Sequence, residues 1–360
     1  MLDLIALKNL NWKLNLALLF LVAASLIGIF SSAPSLVSKQ LLWFGLGLAA
    51  IFFIVRFDWR PFVNYRSLIL GFYLLMIVLL IATHFFAPTI RGTKSWLMFG
   101  GFRFQPSEFT KLALIILYSS FFSRKHAAIA RVSNLFVSFI YFLIPAVLIA
   151  IQPDFGSLAV LFAIWLGFLL VSGIRWSHLA VVLILAILVG ITMWFFVLRE
   201  YQKERVLGFL FPSRDILGIN YSVVQAKIAI GSAGLLGKGF GQGTQTQLGF
   251  LTEKQTDFIF SSLVEEWGIL AGVFLVLVFF YMIFQIIKVG LDSNNNFDRF
   301  ICLGAVIFFC TQFALNIGSN LGLTPVIGIT FPFLSYGGSS ILTDSILVGM
   351  IQSISVRRSL

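Results

Sequence analysis

Apolar runs of roughly 20 residues, the length a helix needs to cross about 30 Å of hydrocarbon at 1.5 Å per residue, recur along the whole chain. Short polar stretches separate them. The pattern predicts ten spans, at about 14–32, 39–55, 67–87, 107–123, 134–151, 157–173, 178–198, 264–288, 300–319 and 333–355. Two longer polar segments interrupt the series, Pro88 to Pro106 and Arg199 to about Leu263. The first run, Leu14 to Phe30, is read as a retained span and not as a signal peptide, because further spans follow it. The fold class is an all-α integral membrane protein with about ten transmembrane helices and a large loop between helices seven and eight. Residues 1–360 form a single polytopic membrane domain. There is no repeat and no inverted pair of halves of the kind many transporters show.

Composition agrees with the pattern: 59% of residues are hydrophobic and only 11% charged, which excludes a water-soluble fold. The net charge of +11 would suggest nucleic acid in a soluble protein, but here the basic residues sit in clusters between apolar runs. With the N-terminus inside, the inner segments hold 13 of the 25 Lys and Arg but only four of the 14 acids. The positive-inside rule then places both termini in the cytoplasm, the 123–134 loop inside, and the loop of about 199–263 outside. Cys302 and Cys310 are too far apart on one helix for a disulfide. The three histidines lie in separate segments, so no metal site is expected.

Candidate chemistry gathers near the outer side. In GTQTQLGFLTEKQTDFIFSSLVEEWG, Gly243 to Gly268, Asp257 immediately precedes an apolar run. It reads either as a helix N-cap or as a general base, a partly desolvated carboxylate whose proton affinity suits that role. Glu265 lies deeper and fits a capping box with Ser262, and Glu266 follows it. Upstream, Tyr221 to Ala233 reads as a short interfacial helix. Gly234 to Gly243, GLLGKGFGQG, fails the phosphate-loop pattern because Gly239 follows Lys238; it reads as a flexible turn.

A second constellation is GTKSWLMFGGFRFQPSEFTKLAL, Gly92 to Leu114. Pro106 suits a first helical turn, and Glu108 and Lys111 become an i, i+3 pair on one face. Lys111 falls inside the bilayer, where an ionisable group needs a partner or a polar cavity. Lys94, Arg91 and Arg103 make the outer face cationic, suited to a pyrophosphate, and Trp96 fits the interfacial belt. Gln152 and Asp154 sit at the outer end of the fifth span, Asp154 reading equally as a cap or as a substrate ligand. Asn316, Ser319 and the segment Phe331 to Ser340, with Ser335 and Ser339, give the last span a polar, glycine-bearing entry that favours close packing.

Together, GTKSW, QPSEFTK, QPDFGS, TDFIF with EEWG, and PFLSYGGSS resemble the SEDS family in order and spacing over nearly the whole chain. FPSRDILGINYSVVQAKIAIGSAGLLGKG and GTQTQLGFLTEKQTDF are similar to its RodA elongation branch. There are departures: where the family usually has FLPExHTDF, this chain has FLTEKQTDF, with Thr252 for the proline and Gln255 for the histidine, and Trp267 stands where leucine is common. The lost imidazole leaves Asp257 in place.

The resemblance implies a bacterial inner-membrane peptidoglycan glycosyltransferase that polymerises lipid II during elongation, with Asp257 as catalytic base on the outer face. Substrate contacts would come from Lys111, Glu108, Lys94, Trp96, Gln152, Asp154, Ser335 and Ser339. It implies partnership with a class B penicillin-binding protein and other elongation proteins, and substrates of lipid II and undecaprenyl-pyrophosphate-linked glycan. No cofactor is demanded, although a divalent cation would suit the pyrophosphate. A lipid II flippase, or a scaffold that activates the penicillin-binding protein, are the alternatives.

Overall fold

The computed structural model describes residues 9–56, 65–90, 92–99, 102–125, 132–196, 198–212, 218 and 220–358. Arg91 and residues 126–131 of the 123–134 loop expected inside lie outside the described residues. Helices stand at all ten predicted segments, with boundaries shifted by a few residues. They are α1 Trp12–Ser32, α2 Val37–Arg56, α3 Arg66–Phe86, α4 Pro106–Lys125, α5 Val132–Ile151, α6 Phe155–Val171, α7 Trp176–Phe196, α11 Ile259–Leu291, α12 Asn296–Leu321 and α13 Gly338–Arg358. Three short helices fill the polar segment between α7 and α11: α8 Glu200–Leu210, α9 Tyr221–Gly231 and α10 Thr244–Gln247. Strands β1 Leu97–Phe99 and β2 Phe102–Phe104 form an antiparallel hairpin before α4, pairing Leu97 with Phe104.

Eight of these helices are long and apolar enough to cross a membrane. The other two differ for local reasons. α6 has 17 residues because Asp154 caps it, its carboxylate accepting from the Ser157 amide at 3.0 Å. α4 is long enough but carries Glu108, Lys111, Arg124 and Lys125.

One continuous apolar core runs through α1, α3 to α6 and α11 to α13, whereas α7 buries none of its residues. Within that core Phe279 of α11 stacks on Phe313 of α12 at 4.4 Å, and Phe331 meets both edge-on at 5.6 and 5.4 Å. Such aromatic packing fixes the turn-bearing Phe331–Gly337 segment that enters α13. Gly338 lies under the Trp43 ring, where a Cβ would come within 2.2 Å, the close packing expected of small residues there.

The two chain ends meet at one end of the bundle. The Asn11 amide donates to Gln352 Oε1 at 2.9 Å, and Gln352 Nε2 returns a bond to the Asn11 carbonyl at 3.1 Å. The polar residues singled out from the sequence gather at the opposite end.

α11 is 33 residues, about 50 Å at the helical rise and longer than any bilayer core. It breaks at Gly268, whose φ of 85° and ψ of 170° are open only to glycine. The section beyond the break is itself long enough to span.

Candidate active site

Asp257 does not cap α11. The N-cap is Phe258, so Asp257 stands one residue outside the helix. The cap comes from another helix: Asn320 Oδ1 of α12 accepts from the Ser261 amide at 3.2 Å and the Ser261 hydroxyl at 2.5 Å. Three successive carbonyls before the helix are pinned as well. Gln255 accepts from the Tyr336 amide at 2.8 Å, Thr256 from the Ser335 hydroxyl at 2.6 Å, and Asp257 from the amides of Asn316 and Asn320 at 3.1 and 2.8 Å. None of these contacts uses the Asp257 carboxylate. Asp257 is half-buried on a backbone held from two sides, the arrangement a positioned base needs.

Glu265 is fully buried, but not in a capping box. Its carboxylate takes Lys238 Nζ at 2.8 Å, the Gln245 and Thr246 amides at 2.9 and 3.0 Å, and the Thr246 hydroxyl at 2.8 Å. It therefore holds the N-terminal turn of α10, where bare amides favour an anion. Glu266 is engaged by Ser31 and by Gln247 Nε2 at 2.5 and 2.8 Å. Both acids are structural clamps, occupied by donors.

The Gly234–Gly243 segment is correspondingly no flexible turn. The Lys238 and Gly239 amides donate to the Glu265 and Glu266 carbonyls freed by the break, each at 3.0 Å, and Ile269 and Leu270 donate back to Gly234 and Leu235. A Cβ at Gly237 or Gly268 would lie 2.2 Å from the opposing carbonyl oxygen. Next to this clamp Lys254 Nζ donates to the Thr246 carbonyl at 2.6 Å. Burial holds its ammonium below the usual lysine range, and Glu266 acts in the opposite sense.

Across the Phe331–Ser340 segment from Asp257 lies the second constellation. Lys111 Nζ donates to Glu108 Oε1 at 2.6 Å, and both side chains are buried. Sequence reasoning missed a third member, Asp344 of α13, which is 0% exposed and within electrostatic range of both Glu108 and Lys111. Among the described residues, neither Asp344 oxygen nor Glu108 Oε2 has a hydrogen-bond partner of standard geometry, although the Phe333 amide acts on Asp344. Phe333 itself sits at φ 59°, a strained conformation for a bulky buried residue.

The remaining predicted residues divide. Ser339 accepts from the Gln105 amide at 3.0 Å, and Asp154, besides capping α6, accepts from Gln105 Nε2 and the Ser107 hydroxyl at 3.3 and 3.2 Å. Together they tie the start of α4 to α6 and α13. Ser335 also accepts from the Phe331 amide at 2.9 Å. Gln152 is buried with its amide on the Leu80 carbonyl at 2.8 Å, a packing contact with α3. Lys94 and Trp96 are half-buried ahead of the hairpin. Exposed Arg103 on β2 acts on Tyr336, whose phenol is pushed up by burial against the pull of that guanidinium. Among the described residues, no group of three or more His, Cys, Asp or Glu side chains is arranged to hold a metal ion.

Comparison with known proteins points one way. A family model for FtsW, RodA and SpoVE, described as "Cell cycle protein", matches residues 5–360. The chain is 34% identical to peptidoglycan glycosyltransferase MrdB of Escherichia coli K12, over 80% of this chain and 78% of that one. It is 34% identical to stage V sporulation protein E of Bacillus subtilis, over 88% and 86%. It superimposes with a TM-score of 0.82 and 30% identity on a chain from a peptidoglycan synthase complex, described as coordinating polymerization and crosslinking, over 97% of this chain and 98% of the other. The fold also matches the rod shape determining protein RodA of Thermus thermophilus, with a TM-score of 0.72 at 24% identity over 98% of each. The chain belongs to the FtsW/RodA/SpoVE, or SEDS, family of membrane proteins.

Proposed function

We propose that this protein is a peptidoglycan glycosyltransferase of the elongation branch, polymerising lipid II on the outer face of the bacterial inner membrane. In this reading the chain is one membrane domain crossing ten times, with both termini cytoplasmic and the segment of about 199–263 outside. The adjacent chain ends at Asn11 and Gln352, opposite the polar constellation, support an even number of crossings. The acceptor is the 4-hydroxyl of the lipid II GlcNAc, and the donor is the growing glycan on undecaprenyl pyrophosphate. The acceptor oxygen attacks the donor's anomeric carbon, the bond to pyrophosphate breaks with inversion, and the lipid pyrophosphate leaves with the bonding electrons.

Asp257 takes the acceptor proton, a contribution of about 100- to 10,000-fold for a positioned general base. Lys111, Arg103 and Lys94 supply the cationic side for the leaving pyrophosphate. Among the described residues, the partner of the Lys111 ammonium is Glu108, at 2.6 Å. Ser335 and Ser339 act by holding the segment between the two constellations, and Gln152 and Asp154 by fixing the helix ends beneath it. The partner is a class B penicillin-binding protein, the kind of crosslinking subunit that the similar synthase complex implies.

The observation that carries this reading is the pinned carbonyl row at Gln255–Asp257, which orders the backbone that carries the Asp257 side chain. The test is Asp257→Asn, assayed as purified protein with its partner and labelled lipid II. The expected result is no polymer at unchanged abundance and unchanged partner binding. Polymer at the wild-type level would remove Asp257 as the base. Absence of polymer from the wild-type protein in the same assay would favour a lipid transporter, which needs no proton abstraction there.

A further inference from the structure

The Gly234–Phe240 turn has a surface that the proposed reaction does not use. Leu235 and Leu236 are 67% and 80% exposed, on a backbone fixed by four hydrogen bonds to the break in α11. Exposed leucines on a loose loop would be unremarkable; on a rigid turn they are a presented surface.

Its position identifies what it faces. Gly268 marks the outer end of an apolar section long enough to span the membrane, so a turn bonded to it lies at the water–lipid boundary. Phe240 of the turn stacks on Phe30 at the end of α1, with centroids 6.1 Å apart, and meets Trp267 edge-on at 6.3 Å. An exposed tryptophan beside phenylalanines at this level is the composition of a membrane interface. Below it the apolar outer faces of α1 and α11 continue the same surface, joined by Phe20 against Phe274. The one charged residue of the turn, Lys238, is drawn away from this face onto Glu265 and Thr244 at 2.8 and 2.7 Å. Its withdrawal leaves a tip without a free charge, which lowers the cost of insertion.

We propose that the Gly234–Phe240 turn is a lipid anchor, in which Leu235, Leu236 and Phe240 enter the outer leaflet beside Phe30 and Trp267. The partner is the acyl and glycerol region of the bilayer. Because the same turn is bonded to the clamp around Glu265, the anchor sets the height of the Asp257 segment above the membrane. The proposal rests on the external placement of this loop but not on its catalysis.

The test uses the full chain with Cys302 and Cys310 replaced by alanine and Leu236→Cys labelled with bimane. The protein is reconstituted in phosphatidylethanolamine–phosphatidylglycerol vesicles. Leu270→Cys on the apolar section of α11 is the lipid-facing reference. Expected are a blue-shifted emission close to that reference and stronger quenching by doxyl-labelled lipid than by aqueous iodide. Aqueous-like emission with iodide quenching overturns the anchor. So does emission that shifts only when the penicillin-binding partner is added, since the surface then belongs to a protein interface. Repeating the measurement in Asp257→Asn gives the same depth if the anchor is right, whatever becomes of the proposed activity. As a second readout, Leu235→Gln with Leu236→Gln should fold in detergent with unchanged melting and lose polymer yield in vesicles. Full yield in vesicles would overturn the role in setting height.

Discussion

Replacing Asn320 by alanine should disable the enzyme without touching any reacting atom. Its amide Nδ2 serves the carbonyls of Asp257 and Asn316, both at 2.8 Å, while Oδ1 serves the amide and hydroxyl of Ser261. Alanine removes all four contacts. The Asn316 carbonyl keeps the Ser319 hydroxyl at 2.8 Å, and the Asp257 carbonyl keeps Asn316 Nδ2 at 3.1 Å. The Ser261 amide in the first turn of α11 loses its acceptor. A buried donor left alone costs about 1–3 kcal/mol, so with the weakened Asp257 contact the loss should be roughly 2–4 kcal/mol.

The functional loss should be larger than that figure suggests. The Asp257 carbonyl would lose the shorter of its two side-chain amide donors, and a displacement of about 1 Å at a reacting group can cost on the order of 100-fold in rate. Thermal unfolding in detergent reads the first effect, and polymer formation from labelled lipid II reads the second. Asn320→Asp is the companion variant: it keeps the Ser261 cap but loses the donor to Asp257, so it should retain more stability than Asn320→Ala and still lose rate. Wild-type polymer yield from both variants would refute the idea that Asn320 positions the base.

Other outcomes follow from the same structure. Lys111→Met should destabilise the protein more than Glu108→Gln, because it leaves two buried carboxylates, Glu108 and Asp344, without their cation; breaking such a pair costs about 3–5 kcal/mol. Adding Asp344→Asn to Lys111→Met should restore part of that melting loss, and additive effects would exclude a triad. Glu265→Gln should lower thermal stability and release the α10 turn, seen as faster proteolysis between Lys238 and Lys254, since hydrogen bonds to a charged group contribute about 1.5–3 kcal/mol. A cysteine at exposed Leu248 should react with impermeant maleimide added outside intact cells; labelling only from the cytoplasm would invert the orientation.

What the sequence made legible follows from how local each cause is. The helices were readable because an apolar run long enough to span hydrocarbon has few other uses, and this needs no knowledge of neighbours. Pro106 and the i, i+3 spacing of Glu108 and Lys111 were local too, and the pair forms at 2.6 Å. The caps were not local. Asp257 sits where a cap is expected, yet the helix starts one residue later and its first-turn amide at Ser261 is satisfied by Asn320, 59 residues further on. Glu265 fits a capping box with Ser262, but its donors Lys238, Gln245 and Thr246 lie 19 to 27 residues upstream, and only the break at Gly268 brings them there. Asp344 is a different kind of omission. A lone ionisable residue inside a span marks a site wherever it occurs, and that reasoning, used for Lys111, holds equally for Asp344. Thr343 and Ser345 beside it, with the serines and glycines at the entry of α13, give the stretch a polar look that disguises its depth. The structure places it fully buried beside the ion pair, so depth in the fold, more than the polarity of sequence neighbours, decides which charged residues have to find partners.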